Sequence, residues 1–171
     1  MLMEKDNSFT KKGNFMTKFI KMFNFLICVF LCLLIISCKS GYNLKQDQTI
    51  IKPDASDLKQ WKNAKAFEPS GSDIETAETL LKKGFDEQAR GTVNRVLGKK
   101  PEDYYQQFVG FIDESGDKII WINCFCKNEI SSFPDWKNKI VYVADGGNCF
   151  VNIKVNISKN SVVEFNVNGV A

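Results

Sequence analysis

Cys149-Phe150-Val151-Asn152-Ile153-Lys154-Val155-Asn156-Ile157 is the stretch whose reading decides the fold. Cys149, Val151, Ile153, Val155 and Ile157 alternate with Phe150, Asn152, Lys154 and Asn156, as a half-buried antiparallel strand requires. Lys159-Asn160 then turns the chain, and Ser161 to Val170 runs back with Val163, Phe165 and Val167 facing the core. Upstream, Asp145-Gly146-Gly147-Asn148 reads as a turn and Ile140 to Ala144 as a further strand. Tyr104 to Asp113 and Asp117 to Cys126 are β-branched and aromatic at period two. Glu114-Ser115-Gly116 between them offers a left-handed glycine for a tight hairpin. Asp113, Glu114 and Asp117 are therefore turn residues before they are an acid/base pair or calcium ligands. Lys127 to Lys137, with Pro134, is a longer connection.

Before the strands the period changes. Ser72-Asp73-Ile74-Glu75 has the form of a capping box. Ile74, Ala77, Leu81, Phe85 and Ala89 follow at helical spacing, with Glu78, Lys82, Asp86 and Arg90 on the other side. Gly84 weakens this helix by ~1 kcal/mol relative to alanine, and Gly91 or Gly98 ends it. The expected fold is α+β: one N-terminal helix packed on an antiparallel meander of four to five strands, over residues 73–171.

The other end of the chain gives an address. Phe23 to Ile36 is apolar except for Asn24 and follows Lys11, Lys12, Lys18 and Lys21. About fourteen apolar residues fall short of the roughly 17 to 25 that a transmembrane helix needs, so an export signal fits better. Ile35-Ile36-Ser37-Cys38 resembles the lipobox of bacterial lipoproteins, with isoleucine for the commoner leucine at its first position. The resemblance implies that Cys38 is acylated and becomes the first residue of the mature protein. The residues also allow an ordinary cleaved signal or an uncleaved anchor. The polar run before Met16 or Met22 suggests that either is the true start. The expected layout is a signal region 1–37, a lipidated cysteine with a polar tether 38–72, and the domain 73–171. As a flexible coil that tether would reach ~30 Å, although Asp57 to Trp61 has the form of a helical turn whose Trp61, with Phe67, suits docking on the domain.

Removal of the signal leaves 18 basic and 18 acidic residues. Without a basic cluster to displace counterions, nucleic acid is not an expected partner. Histidine is absent, which excludes Ser-His and Cys-His nucleophiles and the usual zinc sets; no metal and no cofactor are expected. Three cysteines remain after the anchor: Cys124, Cys126 and Cys149. An oxidising compartment permits a disulfide from Cys149 to Cys124 or Cys126, the odd number leaves one thiol over, and three buried free thiols or a three-thiolate site are the alternatives.

Trp121, Asn123, Phe125, Phe150 and Asn152 share the second face of the sheet. Aromatic area beside amide groups suits a peptide or glycan, unless a second layer such as the Trp61 segment covers it. Gln106-Gln107-Phe108-Val109-Gly110 and Pro134-Asp135-Trp136 loosely resemble the two inhibitory motifs of cystatin-like domains, departing by Phe108 and by the inserted Asp135. Gly110 reads as a mid-strand bulge. The chain as a whole looks like the small lipoproteins of diderm bacterial envelopes. It is expected to be a non-catalytic binding or structural module at the outer membrane, held to the bilayer through acylated Cys38, with an envelope protein, peptide or glycan as partner. An inhibitor or immunity-type protein, and an enzyme using Cys149 or a carboxylate, are the rival expectations.

Overall fold

The structure is a computed structural model that describes residues 42–91, 96 and 98–169. The signal region, the lipobox and Cys38 lie outside these residues. Six strands form one mixed sheet: β1 (Gln48–Ile51), β2 (Lys65–Ala66), β3 (Tyr104–Ile112), β4 (Lys118–Cys126), β5 (Phe150–Asn156) and β6 (Ser161–Val167). The order is β1-β3-β4-β5-β6, with β2 also on β3. Among the described residues two α-helices, α1 (Ala55–Leu58) and α2 (Gly71–Arg90), join the sheet in an α+β fold.

The sheet corrects the antiparallel expectation. β1 runs parallel to β3, with Gln48 opposite Gln106 and Ile51 opposite Val109. Its residues come from the segment read as tether, whose described part is built into the domain. Gln-Thr-Ile-Ile is too short for a period to show, and its two polar residues point away from burial. Both are nonetheless buried because both find partners: Gln48 Nε2 donates to Glu78 and Gln106, and Thr49 Oγ1 to the Lys137 carbonyl.

Helix α2 starts two residues earlier than expected. Two capping boxes overlap here, and Ser70-Asp73 forms rather than Ser72-Glu75. Ser70 Oγ accepts from the Asp73 amide at 3.3 Å and the Asp73 carboxylate accepts from the Ser70 amide at 2.9 Å. Asp73 also meets Lys118 Nζ of β4 at 3.2 Å, a partner that Glu75 lacks, and this fixes the register. Burial pushes the Asp73 pKa upward, but the bonds from Ser70 and Lys118 outweigh it and hold the carboxyl below its usual range. The helix buries Ile74, Ala77, Leu80, Leu81 and Phe85 against Tyr104, Phe108, Ile122, Val151, Ile153 and Val155. Ala89 is exposed, and Gly91 caps the end. At Gly84 an added Cβ would lie 3.0 Å from the Phe165 ring, so the glycine makes room for β6.

Three further expectations change. Ile140–Ala144 is not a strand: β4 pairs directly with β5 from Ile119↔Asn156 to Phe125↔Phe150, so the sheet has no seat for it. The β5–β6 register slips between Lys154 and Val155 of β5, leaving Val163 of β6 as an extra residue that is 58% exposed. Val162, Phe165 and Val167 reach the core instead. Such a bulge on an edge strand also discourages pairing with another chain. At Gly110 the β3–β4 ladder is unbroken. The glycine is needed because a Cβ would come 2.6 Å from the Phe67 carbonyl oxygen, where Phe67 donates its amide to Gly110 at 3.2 Å. The hairpin turn is as read: Asp113 Oδ1 accepts from the Ser115 and Asp117 amides, and Gly116 has φ 84°.

Candidate functional site

Helix α2 covers one sheet face, and the site lies on the other. Strand register places Gln107, Asn123, Asn152 and Asn166 side by side across β3, β4, β5 and β6. This amide row runs between Val109-Trp121-Lys154-Glu164 on one side and Tyr105-Phe125-Phe150 on the other. The register therefore brings together all five residues singled out from the sequence. It does not leave them free: Trp121, Asn123, Phe125 and Phe150 are at most 8% exposed, and Asn152 is half-buried.

Two layers cover them. The segment around α1 places Trp61 on Phe111, ring centroids 4.3 Å apart, and edge-on to Trp121 at 5.7 Å. The connection after β4 places Phe133, Trp136 and Val141 over Phe125 and Phe150. The Tyr142 hydroxyl donates to Asp57 Oδ1 at 3.0 Å and accepts from Gln60 at 3.2 Å, joining the two layers.

The inner half of the amide row holds the second layer in place. Gln107 is fully buried. Its Nε2 donates to the carbonyls of Trp136 and Lys139, and its Oε1 accepts from the Val141 amide and Asn123 Nδ2, both at 2.9 Å. A glutamine has two N–H donors and two lone pairs on its oxygen, and all are used. Asn123 also donates to the Val141 carbonyl at 2.7 Å, and Asn168 to the carbonyls of Val143 and Asp145. Side-chain amides thus take the place that a strand ladder would have had for residues 136–145.

The outer half is open. A cleft of about 340 Å³ lies over β5 and β6, lined by Trp61, Trp121, Tyr142, Asn152, Lys154, Glu164 and Asn166 among others. Lys154 Nζ and Glu164 Oε2 are 2.6 Å apart, and Asn166 Nδ2 donates to Glu164 Oε1 at 2.6 Å. The Lys154 bond first, then that from Asn166, lowers the Glu164 pKa, so the cleft carries a self-neutralised pair. Asn152 Nδ2 donates to Asn168 at 3.3 Å, whereas its Oδ1 is buried without a partner.

The cysteines are apart from the cleft, on the helix side. Cys126 and Cys149 form a disulfide, and Cys124 is a buried free thiol whose pKa burial pushes up. Cys124 faces Val151 in the β4–β5 ladder, so Cys126, two residues on, faces Cys149. Gln106 to Gly110, the first cystatin-like segment, is buried within β3, and Trp136 of the second is 7% exposed against Phe125. Among the described residues no three Asp, Glu or Cys side chains are grouped to hold a metal ion.

Sequence reading missed Gln107 as the hub and missed Tyr142, Lys154, Glu164, Asn166 and Asn168 as neighbours. The signal was present for Asn166 and Asn168, which alternate with Val167 on a recognisable strand, but their meeting with Asn152 depends on the bulge at Val163. The chain matches no known protein family, no curated protein and no solved structure.

Proposed function

We propose that this protein is a membrane-anchored binding module of a bacterial cell envelope, non-catalytic, with the cleft over β5 and β6 as its ligand site. The observation that carries the binding role is the buried, unpartnered Oδ1 of Asn152 at the wall of that cleft. A buried acceptor without a partner costs ~1–3 kcal/mol, which a ligand donor would recover by drawing the Asn152 amide round into the cleft. The anchoring role is supported by the lipobox-like Ile35-Ile36-Ser37-Cys38. Among the described residues no helix is long and apolar enough to cross a membrane.

The fold shortens the leash that the sequence suggests. Tyr42 is already docked: its hydroxyl donates to Gln48 Oε1 at 3.2 Å, and it packs beside Gly71 at the start of α2. Only Lys39, Ser40 and Gly41 separate it from Cys38, which at ~3.5 Å per residue allows ~14 Å. Acylation of Cys38 would hold the domain close to the bilayer. Two or more acyl chains anchor stably where one does not.

The test is Cys38→Ser in the native host. The wild-type protein is expected to take up labelled palmitate and to fractionate with the outer membrane. Cys38→Ser should take up none and should no longer be processed to the mature size. Palmitate uptake or membrane retention unchanged by the substitution would refute the anchor.

A further inference from the structure

We infer that the open half of the amide row binds an extended, uncharged stretch of polypeptide through its main chain; the inference rests on the cleft being a ligand site. The closed half of the same face shows what these side chains grip. Gln107, Asn123 and Asn168 hold main-chain carbonyls of Trp136, Lys139, Val141, Val143 and Asp145, and Gln107 also accepts the Val141 amide. None of these bonds reads a side chain, so the recognition is of backbone.

Asn152 and Asn166 continue that row into the cleft as directly opposed residues of β5 and β6. Side chains so opposed start ~5 Å apart, and a dipeptide spans ~7 Å, so one short stretch of chain reaches both. A main-chain N–H would donate to Asn152 Oδ1 once the side chain, held only by the 3.3 Å bond of its Nδ2 to Asn168, turns that buried oxygen into the cleft. A neighbouring carbonyl would accept from Asn166 Nδ2, which is exposed and now donates to Glu164. Lys154 and Glu164 satisfy each other at 2.6 Å, so the cleft offers no spare charge to an ionic ligand.

The same residues argue against a sugar as the occupant. Sugar rings stack on open aromatic faces, but Trp121 is 8% and Phe150 7% exposed. Their faces are spent on Trp61 and Phe133. What remains open is the amide row and the outer face of Tyr142, which is 58% exposed but has its other face toward Trp121 and its hydroxyl bonded to Asp57 and Gln60.

The experiment pans phage-displayed random decapeptides against the mature, acylated protein in detergent. Selected peptides are synthesised and titrated while the Asn152 and Asn166 side-chain amide resonances are followed by NMR, with chitohexaose and maltohexaose in parallel. Peptides should shift both resonances. Asn152→Leu should weaken binding about tenfold, the equivalent of one hydrogen bond to a buried acceptor. Asn166→Ala, at an exposed position that cannot unfold the domain, should weaken it about fivefold. Lys82→Ala on the helix face should leave it unchanged. No selected peptide, or peptides whose affinity ignores both asparagines, would overturn the inference. If the hexasaccharides shift the two resonances and the peptides do not, the polypeptide is wrong and the ligand site stands; if neither does, both fall.

Discussion

Gln107→Leu is expected to lower the unfolding free energy by about 4 kcal/mol, the largest loss from any single polar side chain of the domain. Leucine fills a similar space, so little of the loss is a cavity. It comes from what is left behind: the Val141 amide, one Asn123 N–H, and the carbonyls of Trp136 and Lys139 each lose their partner. A buried group without a partner costs ~1–3 kcal/mol, and the total is held down because residues 136–141 can lift and hydrate. Lifting would uncover Phe125 and Phe150 and open the closed side of the cleft. Gln107→Glu should also destabilise, since a carboxylate has no proton for the two carbonyls. Urea unfolding followed by tryptophan fluorescence measures both. A loss below about 1 kcal/mol for Gln107→Leu would mean that the segment is held by its aromatic contacts alone.

Reducing the Cys126–Cys149 disulfide is expected to cost about 3 kcal/mol. The bridge closes a loop of sequence separation 23, and the chain-entropy relation gives roughly this value for a loop of that size. The loop contains the whole second layer, from Ile130 to Val143. Bridge and amide hub therefore restrain the same segment, and their losses should be non-additive: Gln107→Leu should cost less in the reduced protein than in the oxidised one. Urea unfolding with and without reductant gives the first number, and the two variants together give the coupling. Cys124→Ala should leave the reductant sensitivity intact, because Cys124 takes no part in the bridge. Unfolding that ignores reductant would contradict the bridge.

Most of the sheet was legible because its strands are long and alternate. Tyr104–Ile112, Lys118–Cys126, Phe150–Asn156 and Ser161–Val167 all carry hydrophobic residues at period two. The illegible parts share a physical cause: there, polar side chains replace either apolar burial or a backbone ladder. Gln48 and Thr49 look like tether until Glu78, Gln106 and Lys137 supply partners from far along the chain. Ile140 to Ala144 has the composition of a strand, yet its hydrogen bonds go to Gln107 and Asn123 and not to a neighbouring strand. Val163 has the right residue type at the wrong parity, because a bulge is not visible in composition. For the site, the five face residues were readable from alternation alone. Of their cover, the Trp61 segment was readable and lies where expected; the layer of Phe133, Trp136 and Val141 was not, and neither was the row that divides the face, since these require the register of four strands. The choice of Cys126 over Cys124 is of the same kind. It follows at once from Cys124 facing Val151 and from nothing shorter.

The central claim is that a single amide row closes one half of the outer sheet face and leaves the other half open. Hydrogen exchange of the side-chain amides, read residue by residue from the NMR spectrum of the folded domain, tests it most directly. The Gln107 Nε2 protons, fully buried and held by two carbonyls, should exchange only with opening of the second layer, orders of magnitude more slowly than those of Asn166 on the exposed rim of the cleft. Gln107 protons exchanging as fast as those of Asn166 would mean that the face is open from end to end, and the division on which the ligand site rests would be wrong.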